Sequence, residues 1–367
     1  MSASNRINSH FVGLARSICM AGVVAIHLAG IAKRDTSPYE GHFGDLVNCI
    51  SRCAVPLLFM LSGYLLLGKE EPVGEFLQKR LKRILFPMLF WTAFFVLWDA
   101  AFFGKGLDRK TLFWQFATLD YKHHLWFLYA IFGAYFMVPI LRVLVCKADT
   151  KLIDYTAMVL LVGPAITTLC YAYIGWGSWH SPQGQAPFYD MFTYLGFMVL
   201  PWTSIMNGKR LSWPLSLTLY AAITSLMIFG KHCLGEGGRA STLFDNYSSP
   251  FLILQTIPAF YILGHLSRTF EKREKQYIWT KISDNSLGIY LVHPLVIDLI
   301  AFLLPDTLHH GGLWMIGSWI FVFTLSYGMV WCLQLSRFTS WTLGELRPNT
   351  ASPINAKNGM PQNIRCQ

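Results

Sequence analysis

Long apolar segments separated by short polar ones repeat along almost the whole chain. The first runs from Phe11 to Ala32, and the others lie at about 45–67, 85–104, 124–146, 152–175, 188–206, 213–231, 249–267, 283–304 and 313–336. About 20 apolar residues in a row are enough for a helix to cross the hydrocarbon core of a bilayer. The pattern predicts an all-α polytopic membrane protein with about ten transmembrane helices.

The composition supports this prediction. Of the 367 residues, 53% are hydrophobic and 14% are charged, whereas soluble domains carry about 25% charged residues. No polar stretch is long enough for a soluble domain, so any chemistry is expected in or at the membrane. We divide the chain into a cytoplasmic N-terminal tail at 1–10, a transmembrane domain at 11–338, and a cytoplasmic tail at 339–367 whose polar composition predicts disorder.

The positions of the basic residues predict the orientation. With the N-terminus in the cytoplasm, most of the 30 Lys and Arg residues fall in the cytoplasmic loops and tails. This is the positive-inside pattern, and ten spans would place both termini in the cytoplasm. The net charge of +10 is thereby spread over short loops, without the basic domain or patch that nucleic-acid binding requires. We expect membrane lipids as partners and no nucleic acid.

Two ionisable residues, Arg16 and His27, lie inside the first apolar segment. They are eleven positions apart, so they project from the same helix face, about 16 Å apart along the axis. Ionisable side chains inside a membrane are costly and usually face a protein interior or a watery cavity. The simpler alternative is that Arg16 reaches the headgroups and His27 only packs against its neighbours.

The second segment carries an arginine, Arg52, about 10 Å below its predicted outer end. This depth is close to that of His27, so adjacent antiparallel helices would bring Arg52 and His27 together. The alternative is that Arg52 extends outward to the headgroups. Pro56, Ser62 and Gly63 follow and would let this helix kink and pack closely.

A basic stretch, EFLQKRLKRILFP, precedes the third segment and contains Lys79, Arg80 and Arg83. We place it in a cytoplasmic loop at 68–84. Topology alone explains such a cluster, because basic residues hold a loop in the cytoplasm. The functional alternative is an anion-binding surface for a phosphorylated donor.

Further histidines lie in later segments. The fourth begins YKHHLWF, which places His124 and Trp126 at the outer edge, either in an interfacial aromatic belt or lining a sugar-binding mouth. His293 lies near mid-depth in the ninth segment, and Pro294 frees backbone groups beside it, which favours a role in a cavity. The candidate carboxylate partners for His27 are Asp35, Asp45 and Asp298.

The eight cysteines show no CxxC motif and no Cys/His spacing typical of a metal site. We therefore expect no metal. Most of these cysteines fall in apolar runs and are typical of small buried hydrophobic residues. Cys170 and Cys233 both lie near predicted outer helix ends, so a disulfide between them is conceivable.

Four stretches together resemble the bacterial membrane acyltransferase-3 family. They are the Arg16-to-His27 spacing, SRCAVPLLFMLSGYLLLG, HHLWFLYAIFGAYFMVPILR and SLGIYLVHPL, and they cover the membrane portion from the first segment to the ninth. The likeness is greatest to the surface-polysaccharide branch, which includes the enterobacterial common antigen O-acetyltransferase. One departure is Leu58, where that branch usually has Phe. We expect the membrane unit to act without the soluble esterase-like domain that some members carry.

The resemblance implies a function in the bacterial inner membrane. It implies acyl transfer from cytoplasmic acetyl-CoA to a hydroxyl of a glycan or lipid-linked saccharide, with Arg16 and His27 essential and with Arg52 and His124 at matching family positions. His27 would serve as base or transient acyl carrier, Arg52 would stabilise an oxyanion, and Arg16 would contact the donor.

Other interpretations stay open at this point. A transporter or flippase of a polysaccharide precursor would use the same buried charges along a transport path. Within the enzyme interpretation, either the pantetheine arm reaches His27 through a tunnel or the acyl group is relayed. The sequence also leaves open whether copies of the chain form a homo-oligomer.

Overall fold

The computed structural model describes residues 9–32, 38–104, 123–175, 187–208, 210–234, 239–271, 276–303 and 312–344. The helices are α1 Ser9–Ala32, α2 Pro38–Ser51, α3 Ala54–Leu66, α4 Val73–Phe103, α5 Trp126–Lys147, α6 Thr150–Ile174, α7 Pro187–Val199, α8 Ser204–Asn207, α9 Trp213–Leu234, α10 Thr242–Asp245, α11 Pro250–Glu271, α12 Gln276–Asp284, α13 Ser286–Leu303, α14 Gly312–Gln334 and α15 Arg337–Trp341. Short 3₁₀ turns at His123–Leu125, Leu200–Trp202 and Arg239–Ser241 connect some of them.

The all-α polytopic membrane fold is confirmed. Within the described residues, nine helical stretches are long and apolar enough to cross a membrane, and no strand is present there. Most agree closely with predicted segments, such as Thr150–Ile174 for 152–175 and Ser286–Leu303 for 283–304. The cytoplasmic location of both termini and the division at 11 and 338 stay predictions.

The segment at 188–206 differs from the single long helix that was expected. It forms α7, a helix of 13 residues, then a 3₁₀ turn containing Pro201 and the short α8. Proline lacks a backbone N–H and interrupts a helix, and 13 residues span only about 20 Å. Residues 193–201 are nevertheless buried, so this broken element lies inside the protein and contributes to its core.

The basic stretch before the third span lies in a helix, which corrects its placement in a loop at 68–84. Helix α4 begins at Val73, directly after Pro72, and continues for 31 residues. Lys79, Arg80 and Arg83 therefore lie within its first three turns. Pro72 favours a helix start at this point, because a proline ring is accommodated there and its missing N–H costs nothing. The basic side chains are consequently held on a rigid element.

Helix α1 packs against α2, α3, α11, α12, α13 and α14. Polar side chains attach it to its neighbours: Ser17 Oγ donates to the Trp279 carbonyl of α12 at 3.0 Å, and Trp319 Nε1 of α14 donates to the Ala21 carbonyl at 2.9 Å. A helix with ionisable side chains avoids their desolvation in lipid when other helices surround it. This position brings both Arg16 and His27 into the protein interior.

The second span is a helix interrupted at Arg52 and Cys53, between α2 and α3. Beyond the interruption, α3 approaches α7 closely at Gly63. A Cβ atom at this position would lie 1.9 Å from the backbone oxygen of Met198. Small residues allow helix backbones to approach in this way inside membranes, so the expected close packing is present.

Substituting Gly63→Ala tests this backbone contact. We expect a loss of about 1–3 kcal/mol or a failure to fold, because overpacking forces backbone shifts. The measurement is thermal stability of the purified protein in nanodiscs. Gly264→Ala is the matched control, since nothing lies within 4 Å of its Cβ position and alanine is the better helix former. Equal melting temperatures for the two variants would contradict the prediction.

Candidate active site

Three histidines from different parts of the chain converge in the protein interior. The ring centroids of His27 and His293 are 4.9 Å apart, those of His124 and His293 are 5.9 Å apart, and those of His27 and His124 are 6.3 Å apart. His27 comes from α1, His293 from α13, and His124 from the 3₁₀ turn before α5. The structure thus brings together three residues that the sequence indicated separately.

Hydrogen bonding assigns the tautomer of His293. Its Nδ1 lies 3.1 Å from the Ile289 carbonyl, and because a carbonyl only accepts, Nδ1 must carry the proton. The Nε2 atom then presents a lone pair. It is buried without a hydrogen-bond partner among the described residues, in a side chain that is 0% exposed. His293 is therefore set up as a proton acceptor beside His27, which is less deeply buried.

Tyr290, which was not among the residues predicted from the sequence, joins this cluster. Its hydroxyl donates to the His124 carbonyl, and its ring lies 5.8 Å from that of His124 and 6.0 Å from that of His293. Tyr290 precedes His293 by three residues, so both project from the same face of α13. The three-residue spacing between Tyr290 and His293 in SLGIYLVHPL is the sequence signal that could have indicated Tyr290.

Arg52 lies in a network of partly buried charges. Arg52 donates hydrogen bonds to Asn48 Oδ1 at 3.1 Å and to the Asp245 carbonyl. Its guanidinium lies 3.7 Å from the Asp245 carboxylate and 5.2 Å from the centre of the Tyr247 ring. Lys231 joins the network through the same Asp245 carboxylate. These contacts direct Arg52 toward α10 and the turn that follows it.

Of the candidate carboxylate partners for His27, Asp45 contacts Lys231 at 3.3 Å. Lys231 also contacts Asp245 at 2.5 Å. Asp298 lies five residues after His293 on α13, and Asp35 lies outside the described residues.

At the other end of α1, the arginines Arg16, Arg80 and Arg83 all act electrostatically on one tyrosine, Tyr135 of α5. Phe76 lies against the same group, with its ring 5.9 Å from that of Tyr135 and 5.7 Å from the Arg80 guanidinium. Within the described chain, the three arginines form no salt bridge. Clustered guanidinium groups of this kind bind phosphate oxygens.

The neighbouring cations, Lys79 and Arg142, are paired with acidic residues. Lys79 contacts Glu71 at 3.0 Å and Glu75 at 3.4 Å, while Arg142 contacts the Glu71 carboxylate at 3.6 Å and donates to the Leu66 carbonyl at 2.8 Å. The donor-side residues expected from the sequence thus fall into two groups. Arg16, Arg80 and Arg83 lie around Tyr135, and Lys79 belongs to a network at the start of α4.

Neither a metal site nor the Cys170–Cys233 disulfide is found in the described part of the chain. No group of three or more His, Cys, Asp or Glu side chains there could hold a metal ion. Both thiols are free, so the disulfide prediction was wrong. The two cysteines lie on different helices, α6 and α9.

The comparison with known families gives the class of protein. A family model described as an acyltransferase domain matches residues 9–337. The chain belongs to the acyltransferase-3 family. No curated protein and no solved structure matches it. Membership in this family makes the protein a membrane acyltransferase, and the matched region includes the histidine cluster and the arginines around Tyr135.

Glu71→Gln tests the network at the start of α4. Partial burial opposes ionisation of Glu71, but the hydrogen bond and charge of Lys79, with Arg80 and Arg142, hold the pKa of its carboxyl below its usual range. A lowered pKa means that ionised Glu71 stabilises the folded protein above the unfolded pKa of about 4.3 and loses this effect as pH falls.

We therefore expect the variant to melt at a lower temperature than wild type at pH 7, and the difference to shrink below about pH 4. Melting curves across this pH range in nanodiscs provide the measurement. Glu70→Gln serves as the control for a neighbouring exposed carboxylate. A difference between Glu71→Gln and wild type that is independent of pH would contradict the assignment.

Proposed function

We propose that this acyltransferase moves an acetyl or other short acyl group from cytoplasmic acyl-CoA to a hydroxyl of a surface polysaccharide or its lipid-linked precursor. The observation that carries the proposal is that His124 and His293 lie close to His27, which is on the same helix as Arg16. One rigid element thereby connects a group of bases with a group of phosphate-binding cations.

The donor binds at the arginine cluster in this proposal. Arg16, Arg80 and Arg83 would contact the phosphates of acetyl-CoA, since guanidinium groups match phosphate geometry. The pantetheine arm would then extend along α1 toward His27, over the rise of about 16 Å that eleven residues give. Two observations support this arrangement: the chain belongs to a family of acyltransferases, and Arg16 lies about three helical turns before His27 on α1.

The transfer itself needs a base and an attacking oxygen. His27 takes the proton of the acceptor hydroxyl, the oxygen forms a bond to the thioester carbonyl, and the carbon–sulfur bond breaks. The thiolate of CoA then takes the proton from His27. His293, with its lone pair at Nε2, hydrogen-bonds the protonated His27 and stabilises it. Tyr290 holds the backbone turn of His124 in place.

The oxyanion-stabilising role expected for Arg52 stays a prediction. Its guanidinium contacts Asp245 and the Tyr247 ring, which supports a role in shaping the acceptor side. The bacterial inner membrane is the location at which cytoplasmic acyl-CoA and a surface glycan precursor are both within reach of one protein.

His27→Ala tests the proposal in purified protein reconstituted in nanodiscs. With radiolabelled acetyl-CoA and a lipid-linked glycan fraction, we expect CoA release to fall at least about 100-fold, because general-base groups contribute about 10²–10⁴. His42→Ala is the matched control, since that exposed histidine lies against His232 instead.

The destination of the label distinguishes direct transfer from a relay. Label on the glycan alone supports direct attack at the thioester, and label trapped on the protein supports an acyl-enzyme. Wild-type protein that is folded yet turns over no acyl-CoA in the presence of the glycan fraction would refute the proposed reaction.

A further inference from the structure

A second cluster of aromatic residues with polar ends lies next to the histidines. It consists of Trp126 of α5, Tyr194 of α7 and Tyr247 in the turn between α10 and α11. The ring centroids of Trp126 lie 5.1 Å from Tyr247 and 5.6 Å from Tyr194, and the two tyrosine rings are 6.3 Å apart. Only Trp126 was indicated by the sequence.

The polar atoms of this cluster do not bond to one another. Within the described residues, the Trp126 indole N–H and the hydroxyls of Tyr194 and Tyr247 make no hydrogen bond. None of these three atoms is completely enclosed, so each keeps some accessible surface. Because polar groups inside a protein nearly always have partners, three accessible polar atoms that converge without a protein partner indicate a place for a ligand or water.

An acidic residue, Asp190, lies beside them. Asp190 precedes Tyr194 by four residues on α7, so the two share a helix face, and Asp190 is only 6% exposed. One carboxylate oxygen accepts from Ser248 Oγ at 3.0 Å, and Ser248 is itself 2.7 Å from Thr193 Oγ1. The other oxygen accepts nothing from the described chain, so it can accept from a ligand hydroxyl.

The charges around the cluster are balanced. Its two cations, Arg52 and Lys231, both contact Asp245, and Lys231 also contacts Asp45. Neither has an unpaired charge to offer to a carboxylate or phosphate of a ligand. A ligand here meets aromatic rings, neutral donors and one carboxylate acceptor, which together suit an uncharged polyhydroxylated ring.

The cluster is also next to the reacting groups. Trp126 follows His124 by two residues, and the ring of Phe127, the residue after Trp126, lies 5.5 Å from that of Tyr290. Tyr194 stacks on Phe59 at 4.5 Å with an interplanar angle of 8°, and Phe59 lies 5.3 Å from Phe127. A ligand held by the aromatic residues is therefore adjacent to the histidine cluster.

We propose that Trp126, Tyr194, Tyr247 and Asp190 form the acceptor subsite and that it takes an uncharged sugar ring. Asp190 accepts hydrogen bonds from ring hydroxyls, the two tyrosines and the indole donate to ring oxygens, and the partly exposed Trp126 contacts a C–H face. This rests on the proposed function, because it assigns the acceptor of the same reaction.

The first experiment measures binding without any donor. Wild-type protein in nanodiscs is titrated with methyl glycosides of neutral hexoses and with the matching methyl uronosides, and binding is followed by saturation-transfer NMR. We expect at least one neutral glycoside to bind and its uronoside to bind at least about tenfold more weakly, because a charge without a partner is costly to desolvate.

The second experiment removes single polar groups. Tyr194→Phe and Tyr247→Phe should each weaken binding of the neutral glycoside about fivefold, the usual effect of losing one neutral hydrogen bond. Asp190→Asn should weaken it about tenfold. Tyr155→Phe is the matched control, because Tyr155 is 59% exposed on α6. With acetyl-CoA present, the same variants should raise the KM for the glycoside and leave that for acetyl-CoA unchanged.

These readouts separate the two proposals. Absence of acyl-CoA turnover refutes the proposed reaction, while glycoside binding still tests the subsite. The subsite is overturned if folded wild-type protein binds no neutral glycoside, if uronosides bind equally well, or if Tyr194→Phe, Tyr247→Phe and Asp190→Asn all bind like Tyr155→Phe.

Discussion

The cost of burying ionisable groups in a membrane governs the arrangement of this protein. Helix α1 carries Arg16 and His27, and neither side chain is stable against lipid. The fold surrounds α1 with α2, α3 and α11 to α14, so both side chains face protein. The functional groups of other helices are then positioned relative to this one. His293 and His124 contact His27 from α13 and from the turn before α5.

The electrostatics differ between the two groups of charged side chains. Around Arg52 and Lys231, carboxylates pair with both cations, which leaves an environment without spare positive charge. Around Tyr135, three arginines act together without a salt bridge in the described chain, a cluster suited to a multiply charged anion. In the proposed function, a phosphorylated donor and an uncharged acceptor would each find a complementary environment.

Broken helices place several of these groups. Arg52 lies where α2 ends and α3 begins, Tyr247 lies in the turn after the short α10, and α7 ends at a 3₁₀ turn containing Pro201. Irregular backbone is tolerated at membrane depth only where protein or a water-filled cavity surrounds it. The concentration of such breaks around the aromatic cluster is consistent with an acceptor site built inside the helical bundle.

The membrane fold, most helix bounds and the three histidines could be predicted from the sequence, because span length and ionisable residues in apolar segments are local signals. Arg16 and His27 stood out as ionisable residues in an apolar segment, the helical repeat placed them on one face, and His293 stood out by its depth within an apolar run. The tertiary structure decided which of them meet, since contacts between helices depend on packing that no local pattern encodes. Tyr194, Tyr247 and Asp190 were invisible in the sequence because each is unremarkable until the broken α7 and the turn after α10 bring their polar atoms beside Trp126.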